Sequence, residues 1–156
     1  MTFCAVFRKL RLKICITEMK MKILRGTVFG GIVYFLLGWL LYGILFMDFF
    51  SANMNQCANK ANGEMVWWAM IVSNLVTTLL LTLILKWSGA KGIVDGLKTG
   101  AIFGILLTLS FNLSSWSMTT MYNNFGSLLL DLVVSTFMLT VAGMIIVLLW
   151  GKEKTA

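Results

Sequence analysis

Four long apolar runs, separated by short polar segments, make up most of this chain. They cover roughly residues 26–47, 65–85, 97–116 and 126–150. A helix that crosses a hydrocarbon core ~30 Å thick needs about 20 apolar residues. Three runs reach that length, and the third reaches it only by including its basic start or its Ser-rich end. The pattern therefore predicts an all-α fold, an integral-membrane four-helix bundle.

The Lys and Arg residues indicate how the bundle is oriented. Of the 13, seven precede the first run, three lie between the second and third, two follow the fourth, and Lys60 alone lies elsewhere. Short loops rich in Lys and Arg stay in the cytoplasm. We therefore expect both termini and residues 86–98 to be cytoplasmic, with residues 48–64 and 114–125 outside.

Aromatic side chains favour the same placement, because amphipathic rings prefer the membrane–water interface. Those at the predicted outer boundary are Trp67, Trp68, Trp116 and Tyr122, and those at the inner boundary are Trp87 and Trp150. Tyr34, Trp39 and Tyr42 lie inside the first run, where the simplest interpretation is helix packing.

The chain is predicted to form one membrane domain, residues 21–152, after a basic extension at residues 1–20. Two interpretations of the extension remain open. One is an interfacial amphipathic helix that places its Lys and Arg residues against lipid headgroups. The other is that translation begins at Met19 or Met21 rather than Met1, which leaves the extension untranslated.

Composition narrows the chemistry. The chain has no His, and its Cys, Asp and Glu residues do not cluster at metal-ligand spacing, so we expect no metal and no cofactor. Cys4 and Cys15 are predicted to be cytosolic and Cys57 external, which leaves no disulfide across that divide. Without His, no nucleophile–base pair of the usual kind is available, so we expect no enzymatic activity. The net charge of +7 is interpreted as a topology and lipid-headgroup signal rather than as nucleic-acid binding.

Glycines recur every fourth residue in two places. The candidate helix-packing residues are Gly92, Gly96, Gly100 and Gly104 in the third run, and Gly26 and Gly30 in the first. Such rows form flat strips that let helix backbones approach closely in lipid. The alternative interpretation is a hinge, because glycine also permits bending.

The first two runs also resemble the last two. Residues 26–30 (GTVFG) resemble residues 100–104 (GAIFG), and residues 77–82 (TTLLLT) resemble residues 135–140 (STFMLT). The order is preserved, so the sequence suggests a duplicated helical hairpin, with chance similarity as the rival explanation.

Polar residues at membrane depth are the candidate site. Asn74, Asn112 and Asp131, with Asp48, Ser73 and Ser110, are predicted to lie in the outer half of the bundle. The favoured interpretation is interhelical hydrogen bonding. The alternative is an externally open pocket or a proton site, because an ionisable residue inside a span is functional by default.

Two stretches carry a family resemblance. Residues 35–43 (FLLGWLLYG) continuing to Asp48-Phe49-Phe50, and residues 131–136 (DLVVST) followed by Ala142-Gly143, resemble an uncharacterised group of small bacterial four-span membrane proteins, a domain-of-unknown-function group. The resemblance covers residues 21–152. It implies a four-helix membrane fold and carries no activity or catalytic residue.

Two functions follow as expectations. The first is a multi-pass protein of the bacterial cytoplasmic (inner) membrane with a non-enzymatic helix-packing or assembly role. Its expected partners are the lipid bilayer and either a second copy of the chain or another membrane protein. The alternative is a small transporter or channel with the polar site in its outer half.

Overall fold

The computed structural model describes residues 2–55, 64 and 66–150, with side chains from Lys20 onward. Its elements are α1 (Thr2–Leu40), a π-helical turn (Leu41–Leu45), α2 (Met47–Asn53), α3 (Trp67–Trp87), α4 (Ile93–Met118) and α5 (Phe125–Trp150). Four stretches are long and apolar enough to cross a membrane, namely Lys20–Leu45, α3, α4 and α5. The predicted all-α membrane bundle is confirmed, and the chain is a multi-pass membrane protein.

The two ends of the bundle differ in character. At one end, which we call the basic end, the indole N–H of Trp150 donates to the carbonyl of Lys22 at 3.0 Å and ties the end of α5 to α1. The other end, the α2 end, carries α2 and residues 119–124. Because successive spans run in opposite directions, the sequence-predicted inner and outer loops separate to these two ends.

The third span takes in both its basic start and its Ser-rich end, since α4 runs from Ile93 to Met118. Its first turn is stabilised by Asp95, whose Oδ2 accepts the N–H groups of Lys91 (3.0 Å) and Gly92 (3.1 Å). These N–H groups have no partner inside the helix, so a carboxylate there satisfies them. The helix consequently begins before the predicted start at residue 97.

The first span changes its helical geometry near the α2 end, which the sequence did not predict. The N–H of Phe46 donates to the carbonyl of Leu41, five residues earlier, at 2.8 Å. This is the bonding of a π-helical turn, a feature that is often found at functional sites. The first span therefore ends at Leu45, two residues before the end of the predicted range 26–47, and Asp48 lies in the first turn of the separate short helix α2.

The core is built around α5, which packs against both α1 and α4 and is the most buried of the spans. α3 packs mainly against α1. A buried apolar cluster joins α3 to α5 and consists of Leu81, Leu85, Leu139, Ala142, Ile146 and Val147. Many outward-facing side chains of the spans are large and apolar, which suits contact with lipid tails.

The tightest helix pair is α4 with α5, and glycines line it. A Cβ atom added to Gly96 would lie 2.7 Å from the carbonyl oxygen of Gly143, and one added to Gly100 would lie 2.8 Å from that of Leu139. At Gly104 an added Cβ would lie 3.0 Å from the Cα of Thr136. These distances leave no room for any side chain, so the α4 strip is occupied by α5 of the same chain.

The remaining glycines of the predicted set differ in how closely another helix approaches them. A Cβ atom added to Gly26 would lie 3.0 Å from the Ile146 side chain, and one added to Gly30 would lie 2.9 Å from it. Gly92 has no such neighbour, since only the Asp95 carboxylate comes within 3.8 Å of an added Cβ. It lies at the start of α4 and takes no part in a helix–helix contact.

The two repeated motifs make equivalent contacts. A Cβ atom added to Gly26 would lie 3.1 Å from the Thr82 side chain, and one added to Gly100 would lie 3.0 Å from the Cα of Thr140. The hydroxyl of Thr82 donates to the carbonyl four residues earlier at 2.6 Å, and that of Thr140 does the same at 2.7 Å. Each hairpin thus places its glycine pair against its threonine pair, as the suggested duplication requires.

The predicted extension and the first span form one helix in the backbone, because α1 runs unbroken from Thr2 to Leu40. Cys57 and Lys60 lie outside the described residues, as do Lys152 and Lys154.

Candidate functional site

Asp131 is the centre of a polar cluster inside the bundle. It lies six residues after the start of α5, about 9 Å along the helix from the α2 end. Its Oδ1 accepts the hydroxyl of Tyr42 at 2.6 Å. Its Oδ2 accepts the side-chain amide of Asn112 at 2.9 Å and the hydroxyl of Tyr122 at 3.3 Å. Both carboxylate oxygens are therefore in use.

Asn112 is completely buried and all its hydrogen-bonding atoms face partners at the α4–α5 seam. Besides Asp131, its amide donates to the carbonyl of Leu128 at 3.3 Å. Its Oδ1 accepts the hydroxyl of Tyr122 at 3.0 Å and shares that single proton with the more distant Oδ2 of Asp131. A buried amide whose N–H and C=O groups lack hydrogen bonds would lower the stability of the fold. Here neighbouring segments supply those hydrogen-bond partners.

Tyr42 brings α1 into the cluster from within the π-helical turn. Because its hydroxyl proton goes to Asp131, the contact with Ser135 at 2.9 Å has the Ser135 hydroxyl as donor. The Tyr42 ring stacks on Phe50 of α2, with ring centroids 5.0 Å apart. The turn, α2 and α5 are thus fixed to one another through this tyrosine.

Among the described residues, the donors to Asp131 are neutral groups. Burial, then the nearby negative charge of Asp131, raises the pKa of Tyr122 above its ordinary value. The hydroxyl is consequently protonated at neutral pH and acts as a donor.

Tyr122 also belongs to a backbone link between the two segments at the α2 end. It pairs in antiparallel fashion with Met54. On either side, the N–H of Asn55 donates to Met121 at 2.9 Å and the N–H of Asn123 donates to Asn53 at 3.1 Å. This pairing holds the Tyr122 side chain over the cluster.

The sequence-predicted polar residues divide into two groups. Asn112 and Asp131 are brought together. Asp48, Ser73 and Ser110 are exposed and stand outside the cluster. Asn74 lies on α3 and lines two cavities between α1 and α3 instead.

Three members of the cluster were missed by sequence reasoning. Tyr42 was interpreted as packing, Tyr122 as an interfacial aromatic, and Ser135 only as part of a repeat. For Tyr42 a signal was available in the sequence: it lies in an apolar run without charged residues, and a buried tyrosine hydroxyl needs a hydrogen-bond partner.

The cavities lie along the seam of α1 and α3. The larger holds about 440 Å³ and is lined by Tyr34, Phe35, Gly38, Trp39, Tyr42, Gly43, Trp67, Met70, Asn74 and Met138. The smaller holds about 210 Å³ and shares Phe35 and Asn74 with it. Both are partly open at the side of the bundle.

Tyr122→Phe tests the cluster from the side of its loop. The change removes one hydroxyl that donates to Asn112 and Asp131, so we expect a loss of about 1–2 kcal/mol in the free energy of unfolding. Chemical unfolding in detergent, followed by circular dichroism, measures it. Tyr34→Phe is the matched control, since the Tyr34 hydroxyl has no hydrogen bond to any residue that the structure describes. An equal loss in both variants would contradict the assignment.

The arrangement is suited to holding segments together. It brings α1, α4, α5 and the 119–124 segment to one carboxylate. Within the described part of the chain, no three His, Cys, Asp or Glu side chains lie close enough to hold a metal ion.

The chain matches no protein-family model, none of the curated proteins and none of the solved structures.

Proposed function

We propose that this chain is a non-enzymatic protein of the bacterial cytoplasmic membrane with a helix-packing and assembly role. It is proposed to belong to the group of small four-span bacterial membrane proteins that its first and fourth spans resemble. The observation that carries the proposal is that both oxygens of Asp131 are occupied by donors from three other segments. A carboxylate engaged in this way links four segments of the chain, which supports a role in holding the bundle together.

The glycine strips support the same role within the chain. The α4 strip is filled by α5, and Gly26 and Gly30 face Ile146, so these surfaces are used internally. A second copy or another membrane protein would therefore contact the outward, lipid-facing sides of the spans rather than the glycines.

The experiment compares this role with the transporter alternative. The purified chain and its Asp131→Asn variant are reconstituted into liposomes that contain a pH-sensitive dye, and proton flux is followed after a pH step. We expect neither protein to raise the flux above that of protein-free liposomes. A flux that the wild type produces and Asp131→Asn lacks would favour the transporter.

The orientation is a further proposal, supported by the distribution of Lys and Arg. We expect an impermeant thiol reagent to label Cys57 in intact cells and to label Cys15 only after the membrane is permeabilised. A Thr120→Cys variant without other cysteines should behave like Cys57, and Ser88→Cys like Cys15, because both introduced positions are exposed at opposite ends of the bundle. Labelling of Ser88→Cys but not Thr120→Cys in intact cells would reverse the orientation.

A further inference from the structure

The larger cavity between α1 and α3 contains polar groups without protein partners. Tyr34 and Asn74 both line it. Among the residues that the structure describes, none forms a hydrogen bond with the Tyr34 hydroxyl or with the Asn74 side-chain amide. Polar atoms left unpaired at membrane depth are costly, so this pair indicates a ligand that supplies the missing partners.

The depth of these groups restricts that ligand. Asn74 follows Trp67 by seven residues, or about 10 Å along the helix. Trp67 and Trp68 begin α3 with exposed rings, at the level where tryptophans mark the membrane interface. The ester carbonyls of phospholipids remain at that interface. A partner for Asn74 therefore comes from a molecule that dissolves within the hydrocarbon layer.

The walls of the cavity indicate a flat, unsaturated ring. Its lining includes the aromatic side chains of Tyr34, Phe35, Trp39, Tyr42 and Trp67. Aromatic groups favour stacked and edge-to-face contacts with other rings. The volume of about 440 Å³ falls in the range of small-molecule sites. Among the residues that the structure describes, no basic residue lines the cavity, so a neutral ligand fits better than an anion.

A difference between the two repeated hairpins accounts for the cavity. The offset that aligns Gly26 with Gly100 also aligns Gly38 with Asn112. In the second hairpin the Asn112 side chain fills the seam and bonds across it. In the first hairpin Gly38 has no side chain to fill the corresponding position, and it lines the larger cavity.

The smaller cavity continues from the same seam. It is lined by Gly31, Ile32, Phe35, Leu36, Ile71, Asn74 and Leu75, and apart from Asn74 these residues are apolar. This lining suits an alkyl chain. A ring in the larger cavity and a tail in the smaller one would meet at Phe35 and Asn74, which line both.

From these features we propose that the α1–α3 seam binds a neutral, lipid-soluble quinone-type molecule, with ring carbonyls that accept hydrogen bonds from Tyr34 and Asn74 and an alkyl tail in the smaller cavity. The site is separate from the Asp131 cluster, and its proposal does not depend on the assembly role. Tyr42 lines the cavity, but its hydroxyl is already engaged by Asp131.

The test uses decylubiquinone as the probe on the full chain in lipid nanodiscs. Quinones quench tryptophan fluorescence, and Trp39 and Trp67 line the cavity. We expect saturable quenching in the wild type. Decylbenzene, which has a ring and tail but no carbonyl, should compete poorly.

Three variants locate the site. Asn74→Leu and Tyr34→Phe should each weaken binding about fivefold, the effect of one lost hydrogen bond. Gly38→Leu should abolish the saturable component by filling the cavity. It is expected to fold, because an added Cβ meets only the flexible end of Met138, at 3.2 Å.

Ser73→Leu is the matched control, since Ser73 is an exposed polar neighbour on the same helix that lines neither cavity. It should bind like the wild type. Quenching that rises linearly and equally in all variants would mean simple partitioning into the bilayer and would overturn the proposal. Equal competition by decylbenzene would show an alkyl groove without carbonyl recognition and would overturn it as well.

Discussion

Gly100→Leu is expected to abolish the native packing of α4 against α5. Even a Cβ atom at this position would lie 2.8 Å from the carbonyl oxygen of Leu139 and 3.0 Å from the Cα of Thr140. Both are backbone atoms, so they cannot move aside without displacing a helix. Overpacking typically costs about 1–3 kcal/mol, and a leucine in a backbone–backbone contact should exceed that range. We expect loss of the folded chain in detergent, measured by thermal unfolding and size-exclusion chromatography.

Gly126→Leu is the matched control for this change. Gly126 is exposed near the start of α5, and an added Cβ would meet only the Asn124 side chain, at 3.4 Å. Its midpoint of thermal unfolding should shift by only a few degrees. If Gly100→Leu is as stable as Gly126→Leu, the α4 strip does not form the contact described above.

Asp131→Leu should have the second largest effect. The change leaves Tyr42, Asn112 and Tyr122 as donors without their common acceptor. Unpaired buried groups cost about 1–3 kcal/mol each, and relaxation within the bundle recovers part of that. We expect the free energy of unfolding to fall by about 2–4 kcal/mol in total. Chemical unfolding in detergent measures the difference.

Two further substitutions make this result specific. Asp48→Leu removes an exposed carboxylate at the start of α2 and should change stability by less than about 1 kcal/mol. Asp131→Asn should be mild, because the amide keeps one acceptor and can donate to Tyr42 once that hydroxyl reverses toward Ser135. Normal folding of Asp131→Asn with complete loss of a cellular phenotype would contradict the structural role and favour a proton or cation site.

The polar cluster shows how far sequence reasoning reaches. Asn112 and Asp131 were recognisable because a polar residue inside an apolar run needs a partner. Helix rise alone placed Asp131 near the outer boundary and Asn112 deeper, whereas in the structure each lies six residues from the α2 end of its helix. Which residues complete the set was not predictable, because Tyr42 reaches Asp131 from the π-helical turn and Tyr122 is positioned by pairing with Met54.

Asn74 illustrates the opposite case. Its depth along α3 led to the prediction that it lies beside Asn112 and Asp131. In the structure it lines the cavities between α1 and α3. Distance along a helix does not give the direction in which a side chain faces. In the structure α3 packs mainly against α1, so Asn74 faces the cavity at that seam instead of Asp131.

The sequence predicted the glycine strips but not which helix each strip contacts, for a similar reason. A four-residue spacing indicates a flat helix face, and Gly96, Gly100 and Gly104 do lie on one. The spacing could not distinguish a contact within the chain from one between copies. It also could not separate Gly92, which lies where α4 begins.

The sequence by itself determined the class of this protein and the number of its spans. These properties depend on the cost of exposing charges and backbone polar groups to lipid, which each segment meets alone. The tertiary structure alone decided which helix fills the glycine strip, which donors converge on Asp131 and where the α1–α3 cavity opens. Those outcomes depend on how helix faces turn toward one another, and in lipid nearly every face is apolar, so the pattern along the chain does not record them.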